Sequence, residues 1–142
     1  MGSWSQSIFK PKNPQKCINV NPVKCRSSWE AAFCRWLDEH PGVVQWGSEV
    51  IAIDYWNPIK KRPAKYYPDF LIKYIDAKGV IKTELIEIKP SKETCMEQAK
   101  SRYDKIMIIQ NRAKWEAAFK VCKQADITFR ILTEAQLFRG IK

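Results

Sequence analysis

The fold of this chain is built around two apolar runs: Tyr67-Pro68-Asp69-Phe70-Leu71-Ile72 and Glu84-Leu85-Ile86-Glu87-Ile88-Lys89-Pro90. Apolar and polar residues alternate in both runs, which predicts two β-strands. Because side chains alternate between the two faces of a strand, Leu85, Glu87 and Lys89 point to the same side of the second one. One carboxylate and one ammonium group therefore share a face of this strand.

A short connection, Asp76-Ala77-Lys78-Gly79, favours a hairpin between the two predicted strands. In such a hairpin Asp69 would enter the same small space as Glu87 and Lys89. Carboxylate oxygens are the ligands that Mg²⁺ prefers, and one or two carboxylates usually hold this ion together with water and a substrate phosphate. We therefore predict Asp69 and Glu87 as ligands of Mg²⁺, with Mn²⁺ as a substitute ion.

This arrangement of charges suits the hydrolysis of phosphodiesters. A bound divalent ion neutralises charge on the scissile phosphate and acidifies a coordinated water. Lys89 would orient this water, help to deprotonate it or stabilise the transition state. The competing interpretation is a solvated amphipathic strand, since Glu-x-Lys alone is a weak signal. The Pro68-Asp69 pair and the basic character of the chain favour the catalytic interpretation.

The net charge of the chain is +10, from 25 Lys and Arg residues against 15 acids. Five of the cations lie in residues 1–26, which contain no acid, and four form the basic loop, defined as Lys60, Lys61, Arg62 and Lys65. Clusters of this kind bind polyanions through the release of counterions, with little dependence on sequence. We therefore predict DNA contacts at Arg26 and the basic loop. The alternative is that both segments are simply solvated.

Length and composition argue against several classes of protein. At 142 residues with 45% hydrophobic residues, the chain is expected to form one domain with a single core. No apolar run approaches transmembrane length, and the N-terminus lacks the pattern of a signal peptide, so we expect a soluble intracellular protein without a membrane partner. Five cysteines without a Cys-x-x-Cys pair and a single histidine, His40, argue against a disulfide framework or a zinc cluster.

The periodicity of apolar residues predicts an amphipathic helix from Ser28 to Glu39. Ser27 and Glu30 stand at the spacing of a capping box, in which the Glu30 carboxylate closes the helix N-terminus. The alternative, which we favour, is that Glu30 faces the metal pocket as a third acid. Glu49, at the mouth of the next predicted strand, is the rival for this role, and a simple charge at a strand edge explains it equally well.

Residues 1–26, with three prolines and no periodicity, are predicted to form a basic extended N-terminal arm, followed by a single domain at 27–142. Whether the arm docks on the domain stays open. The basic loop separates a strand at 50–55 from the strand of Asp69, and these two strands are predicted to pair as a hairpin with a positively charged tip.

The remaining predicted elements are a helix at 113–124 capped by Asn111, a strand at 127–131 and a short terminal helix after Thr133. Residues 93–109 suit a helix, although 106–109 would suit a strand as well. The order of elements predicts an α/β sandwich with a mixed central sheet of about four strands flanked by helices. The sheet is expected to be antiparallel through its first three strands.

The pairing of Pro68-Asp69 with Glu87-Ile88-Lys89, with 18 positions from Asp69 to Glu87, resembles the PD-(D/E)xK nuclease superfamily. Four further segments resemble the head completion nucleases of large contractile-tailed phages: Arg26-Ser27-Ser28-Trp29-Glu30, Trp46-Gly47-Ser48-Glu49, Ile86-Glu87-Ile88-Lys89-Pro90 and Phe129-Arg130-Ile131-Leu132-Thr133-Glu134. That family is itself similar to the endonuclease subunit of heteromeric cut-and-paste transposases. The resemblance extends over residues 25–137.

The resemblance implies a restriction-endonuclease-like core and a nuclease domain at 27–142 with four catalytic residues, namely Glu30, Asp69, Glu87 and Lys89. It further implies a Mg²⁺-dependent deoxyribonuclease that trims packaged DNA during phage head completion and head–tail joining. The expected partners are DNA and the portal or neck proteins, in the host cytoplasm during phage assembly, with association with the virion left open. The alternatives are a non-catalytic DNA-binding virion component at the portal and a transposon-end or resolvase-like endonuclease.

Overall fold

The computed structural model describes residues 6–133 and residue 136. Its strands and helices in chain order are β1 (Ser7–Phe9), β2 (Val23–Cys25), α1 (Ser28–Glu39), β3 (Val43–Ser48), β4 (Ile53–Asn57), β5 (Arg62–Tyr66), β6 (Phe70–Ile75), β7 (Ile81–Ile88), α2 (Arg102–Gln124) and β8 (Thr128–Leu132). Short 3₁₀ turns lie at Pro14–Lys16, Ser91–Glu93 and Met96–Gln98. Within the described residues, no helix combines the length and the hydrophobicity needed to cross a bilayer.

The central sheet has the strand order β3-β6-β7-β8. Its first three strands are antiparallel, and β8 runs parallel to β7. In the turn between β6 and β7, the Asp76 carboxylate accepts hydrogen bonds from the backbone N–H groups of Lys78 and Val80, both at 2.9 Å. Gly79 has a φ of 79°, which glycine adopts without steric cost. The predicted hairpin and the predicted α/β class with a four-stranded mixed sheet are confirmed.

Each face of the central sheet is covered by a different layer. On one face, α1 and β2 pack against the sheet, with Leu37 and Phe70 in the core between them. On the other face, α2 and the β4–β5 hairpin pack around Trp115 and Leu85. Because side chains two residues apart on a strand share a face, Glu87 lies on the same side of β7 as Leu85, under the layer formed by α2 and the hairpin.

The strand predicted at 50–55 does not belong to the central sheet. The first strand of the sheet is β3, whereas β4 pairs with β5 in a separate two-stranded sheet. The alternation of β3 is hidden by a β-bulge between Val43 and Gln45, which shifts its register against β6. The predicted partner of β4 is wrong too, since β5 rather than the strand of Asp69 completes the hairpin. Pro63 argues against a strand in the sequence, but an edge strand such as β5 tolerates proline.

Helix α1 begins and ends as predicted, but the predicted start of the second helix is wrong. Helix α2 begins at Arg102, and its cap is Ser101, whose hydroxyl accepts a hydrogen bond from the Asp104 N–H at 3.0 Å. Asn111 is instead inside the helix and only 1% exposed. The segment 106–109, left open between helix and strand, is helical and buries Ile108 completely.

The described part of the N-terminal segment packs on the rest of the chain. Strands β1 and β2 pair with each other, and Val23 is buried in the core beside α1. Asp38 of α1 accepts hydrogen bonds from the backbone N–H groups of Lys12 and Asn13, at 2.9 and 3.0 Å. This segment is therefore docked, a question that the sequence left open. The predicted terminal helix lies outside the described residues, except for Gln136.

Candidate active site

Asp69 lies immediately before β6, at one end of the central sheet. The β6–β7 register pairs Phe70 with Ile86, so Asp69 stands opposite Glu87 across the hairpin. The Asp69 Oδ2 atom accepts a hydrogen bond from the backbone N–H of Ile88 at 2.7 Å. This bond fixes the half-buried Asp69 carboxylate beside the end of β7.

Glu87, near the end of β7, is only 5% exposed. Its Oε1 atom accepts a hydrogen bond from the Tyr66 hydroxyl at 2.8 Å, and its Oε2 atom lies 3.7 Å from the Lys89 Nζ. The Lys89 Nζ also lies 4.0 Å from the Glu93 Oε1. The structure thus brings together Asp69, Glu87 and Lys89, the three residues that the sequence groups.

The electrostatic environment opposes ionisation of both acids. Burial and the negative charge of Glu87 raise the pKa of Asp69 well above its ordinary value, although the hydrogen bond from Ile88 acts in the opposite direction. Burial also raises the pKa of Glu87, against the lowering effects of the Lys89 ammonium and the Tyr66 hydroxyl. At neutral pH an ionised pair therefore carries a repulsion that a bound cation would relieve.

The donor atoms of this pair fit a hard divalent cation. Asp69 and Glu87 offer only carboxylate oxygens, which suit Mg²⁺ better than softer metals. Among the residues that the structure describes, no group of three or more His, Cys, Asp or Glu side chains converges as a metal cage would require. An ion held by the pair would accordingly keep water and substrate oxygens as further ligands, as Mg²⁺ usually does.

Glu30, in the first turn of α1, has both of the features expected from its two interpretations. Its Oε2 atom accepts a hydrogen bond from the Arg26 N–H at 2.5 Å, and the Ser27 hydroxyl accepts one from the Glu30 N–H at 3.2 Å. The helix N-terminus is thus capped, with the carboxylate reaching Arg26 rather than Ser27. The charge of Glu30 also contributes to the raised pKa of Asp69, so the carboxylate lies near the pair as well.

Glu49 is occupied by an ion pair with Arg26. The Arg26 Nη1 lies 2.6 Å from the Glu49 Oε1, and the Glu49 backbone N–H donates to the Asp69 carbonyl at 3.0 Å. Glu49 has a φ of 54°, in the left-handed region that residues other than glycine seldom adopt. Arg26, predicted to contact DNA, therefore already has an acidic partner, although its side chain is 58% exposed.

The four residues of the basic loop lie at the tip of the β4–β5 hairpin and in β5. Lys60, Lys61 and Arg62 are exposed, and none of them forms an ion pair with another described residue. Lys65 is paired with Asp54, its cross-strand neighbour. Three of the four predicted DNA contacts in this loop are thus available to an anionic partner.

Two residues of the site are not identified by the sequence analysis. Tyr66 of β5 donates the hydrogen bond to Glu87, and Lys114 of α2 lies with its Nζ 5.8 Å from the centroid of the Tyr66 ring. The positive charge of Lys114 lowers the pKa of Glu87. The only signal in the sequence is a lysine next to the apolar stripe of α2, and lysines at such positions are common.

A second polar group lies on the other face of the sheet. Glu84 is held there by an ion pair with Arg130 at 3.0 Å and a hydrogen bond from the Tyr74 hydroxyl at 2.5 Å. It lines a mostly apolar cavity of about 260 Å³ between α1 and the sheet. Because its charge is already matched by Arg130, Glu84 is a weaker candidate for a metal ligand than Asp69 and Glu87.

Comparison with known proteins supports the resemblance drawn from the motifs. Residues 40–134 match the family described as TnsA-like endonuclease N terminal. The chain is also 36% identical over 144 aligned positions to the head completion nuclease of Enterobacteria phage T4, which covers 94% of this chain and 90% of the T4 protein. The matched segment includes β3 to β8 and therefore the carboxylate pair with its supporting strands and helix.

Proposed function

Because this chain belongs to the TnsA-like endonuclease N-terminal family, we propose that it is a metal-dependent deoxyribonuclease that hydrolyses phosphodiester bonds in DNA. The observation that carries this proposal is the pairing of Asp69 and Glu87 across the end of the β6–β7 hairpin, with the Lys89 ammonium 3.7 Å from Glu87. Two acids and a lysine in this arrangement suit the hydrolysis of a phosphodiester.

Asp69 and Glu87 would hold a Mg²⁺ ion, for which Mn²⁺ could substitute. When bound, this ion supplies charge neutralisation at the scissile phosphate and a more acidic water. Tyr66 fixes one oxygen of Glu87, and the Ile88 N–H fixes one oxygen of Asp69, so that neither carboxylate needs to reorganise when DNA binds. Lys89 is then positioned to orient the attacking water or to donate to a phosphoryl oxygen.

The proposed biological role follows the name of the T4 relative. We propose that the task, as the resemblance to head completion nucleases implies, is to trim packaged DNA so that filled heads can join tails, in the host cytoplasm during phage assembly. Portal or neck proteins would then be the partners that present the DNA. The exposed cations at the tip of the β4–β5 hairpin support DNA as the substrate, because a basic surface beside the carboxylate pair attracts a polyanion.

The decisive experiment incubates the purified protein with linear and circular duplex DNA in Mg²⁺, in Mn²⁺ and in EDTA. The proposal requires cleavage with either metal and none in EDTA, and loss of cleavage in a matched Asp69→Asn protein. Nicking of the circle would indicate an endonuclease, and degradation of linear DNA alone an exonuclease. DNA binding without cleavage in any of the three buffers would instead favour the non-catalytic virion component.

A further inference from the structure

Lys114 of α2 is a half-buried cation. Among the described residues, no carboxylate stands within ion-pair distance of its Nζ. Its observed contact is the Tyr66 ring, whose centroid lies 5.8 Å from the Nζ. A partly desolvated ammonium without a carboxylate in direct contact is unfavourable, and an anion supplied by a ligand would stabilise it.

Lys114 belongs to a group of cations beside the carboxylate pair. Burial lowers the pKa of Lys114, and the positive charges of Lys89 and Lys60 lower it further, whereas Glu87 and Asp69 act in the opposite direction. Lys89 and Lys60 are therefore near enough to Lys114 for their charges to interact. Of these cations, Lys89 lies 3.7 Å from Glu87 and Lys60 lies at the exposed tip of the β4–β5 hairpin.

Tyr66 links this group directly to the reaction centre. Its ring lies beneath Lys114, and its hydroxyl holds the Glu87 oxygen at 2.8 Å. A strand of duplex DNA carries a phosphate about every 3.4 Å along the helix axis. A strand whose scissile phosphate lies at the carboxylate pair would therefore bring neighbouring phosphates to the cations beside it.

We propose that Lys114 forms a second phosphate-binding subsite that holds the DNA backbone beside the phosphate that is cleaved. The ligand is a backbone phosphodiester, and the contact is independent of base sequence. This inference rests on the proposed nuclease function, since it takes DNA as the substrate. It assigns to α2 a role in substrate binding that the motifs around Glu87 do not include.

The test measures binding of a labelled duplex in EDTA over a range of salt concentrations, so that no cleavage occurs. Lys114→Gln should weaken binding about tenfold and reduce the slope of log K against log salt by about 0.9, the value for one lost phosphate contact. Lys114→Arg, which keeps the charge, should keep most of the affinity and most of the salt slope. The matched control is Lys120→Gln, which removes the same charge from an exposed position on the same helix and should bind like the native protein.

The Glu87→Gln background separates a phosphate contact from simple neutralisation of Glu87. If Lys114→Gln weakens binding in the native protein but not in this background, Lys114 acts only on the acid and the subsite does not exist. A native Kd and salt slope for Lys114→Gln would overturn the inference equally. Thermal unfolding identifies any misfolded variant. If Lys114→Gln misfolds, Lys114→Met, which keeps an aliphatic stem against the Tyr66 ring but lacks the charge, takes its place with the same expected loss of slope. Failure of the native protein to cleave DNA would refute the proposed function without affecting these binding results.

Discussion

Replacing Asp69 with Asn and with Ala should separate the chemistry of this carboxylate from its structural hydrogen bond. Both variants remove one of two facing acids, so both should lose Mg²⁺-dependent cleavage by on the order of 10³-fold or more. They differ in one contact. In the native protein the Ile88 N–H donates to Asp69 at 2.7 Å. Asn keeps an oxygen that can accept this hydrogen bond, whereas Ala leaves the donor without its partner.

The size of that difference can be estimated from the contact. Leaving a buried donor unsatisfied costs about 1–3 kcal/mol, and Ile88 is 8% exposed. For a chain of 142 residues, 1 kcal/mol corresponds to about 3 °C in Tm. The Ala variant should therefore melt about 3–9 °C below the Asn variant. The Asn variant should melt above the native protein at pH 8 in EDTA, because the repulsion between the two acids is gone.

The pH dependence of this stabilisation follows from the raised pKa values of Asp69 and Glu87. In the folded state both acids keep their protons to a higher pH than in the unfolded chain. Their contribution to stability is therefore fully present below the ordinary carboxyl pKa of about 4 and is lost as the pH rises through the folded-state values. The increase in Tm of the Asn variant over the native protein should accordingly be largest at pH 8 and shrink towards pH 4.

The measurements are thermal unfolding by circular dichroism across this pH range and cleavage of linear DNA in Mg²⁺. Duplex binding in EDTA serves as the control and should be nearly native in both variants. Retention of Mg²⁺-dependent cleavage by either variant would refute the assignment of Asp69 to the metal site. Equal melting temperatures for Asn and Ala would refute the structural role of the hydrogen bond to Ile88.

Three further experiments test the remaining assignments. Lys89→Ala should lower kcat by about 10²–10³-fold, while Mg²⁺ should still raise the Tm. A native rate would show that Lys89 takes no part in the reaction. Glu30→Gln keeps an acceptor for the Arg26 N–H, so a third-acid role predicts a large loss of rate at a native Tm, with Glu49→Gln as the active control. The opposite result for Glu30 and Glu49 would show that the third acid is misassigned. Neutralising all four residues of the basic loop should weaken binding to every DNA sequence. The slope of log K against log salt concentration should fall by roughly 0.9 per lost phosphate contact, and turnover at saturating DNA should stay native. Parallel salt plots would exclude the loop from the interface.

Much of the site could be predicted from the sequence because its central part is local. Asp69, Glu87 and Lys89 lie at the open end of one hairpin, and a short turn fixes the register that brings them together. Helix α1 is equally predictable from the sequence, since its apolar periodicity and the Ser27 cap both lie within 13 neighbouring positions. In these cases each residue's partner is near it in the chain or set by a regular repeat.

The strand order and the start of α2 depended on less local features. The bulge in β3 interrupts the alternation on which a strand prediction depends, so the sequence does not indicate this strand and predicts β4 as the first strand of the sheet instead. Residues preceding 113 lack a clear apolar stripe, and Asn111 resembles a cap. Packing against the sheet and the hairpin nevertheless extends the helix back to Arg102 and buries Asn111 within it.

The supporting residues of the site are the part that only the tertiary structure reveals. Tyr66 stands 21 residues before Glu87 in the chain. Lys114 belongs to α2, which follows β7 in the chain after two 3₁₀ turns. Neither stands at a spacing that any periodicity encodes. Their positions follow from the docking of α2 and the β4–β5 hairpin on one face of the sheet, which is driven by the burial of side chains such as Trp115 and Leu85. Hydrophobic burial is not directional, and for this reason the polar neighbours that it brings together can be recognised only in the folded chain.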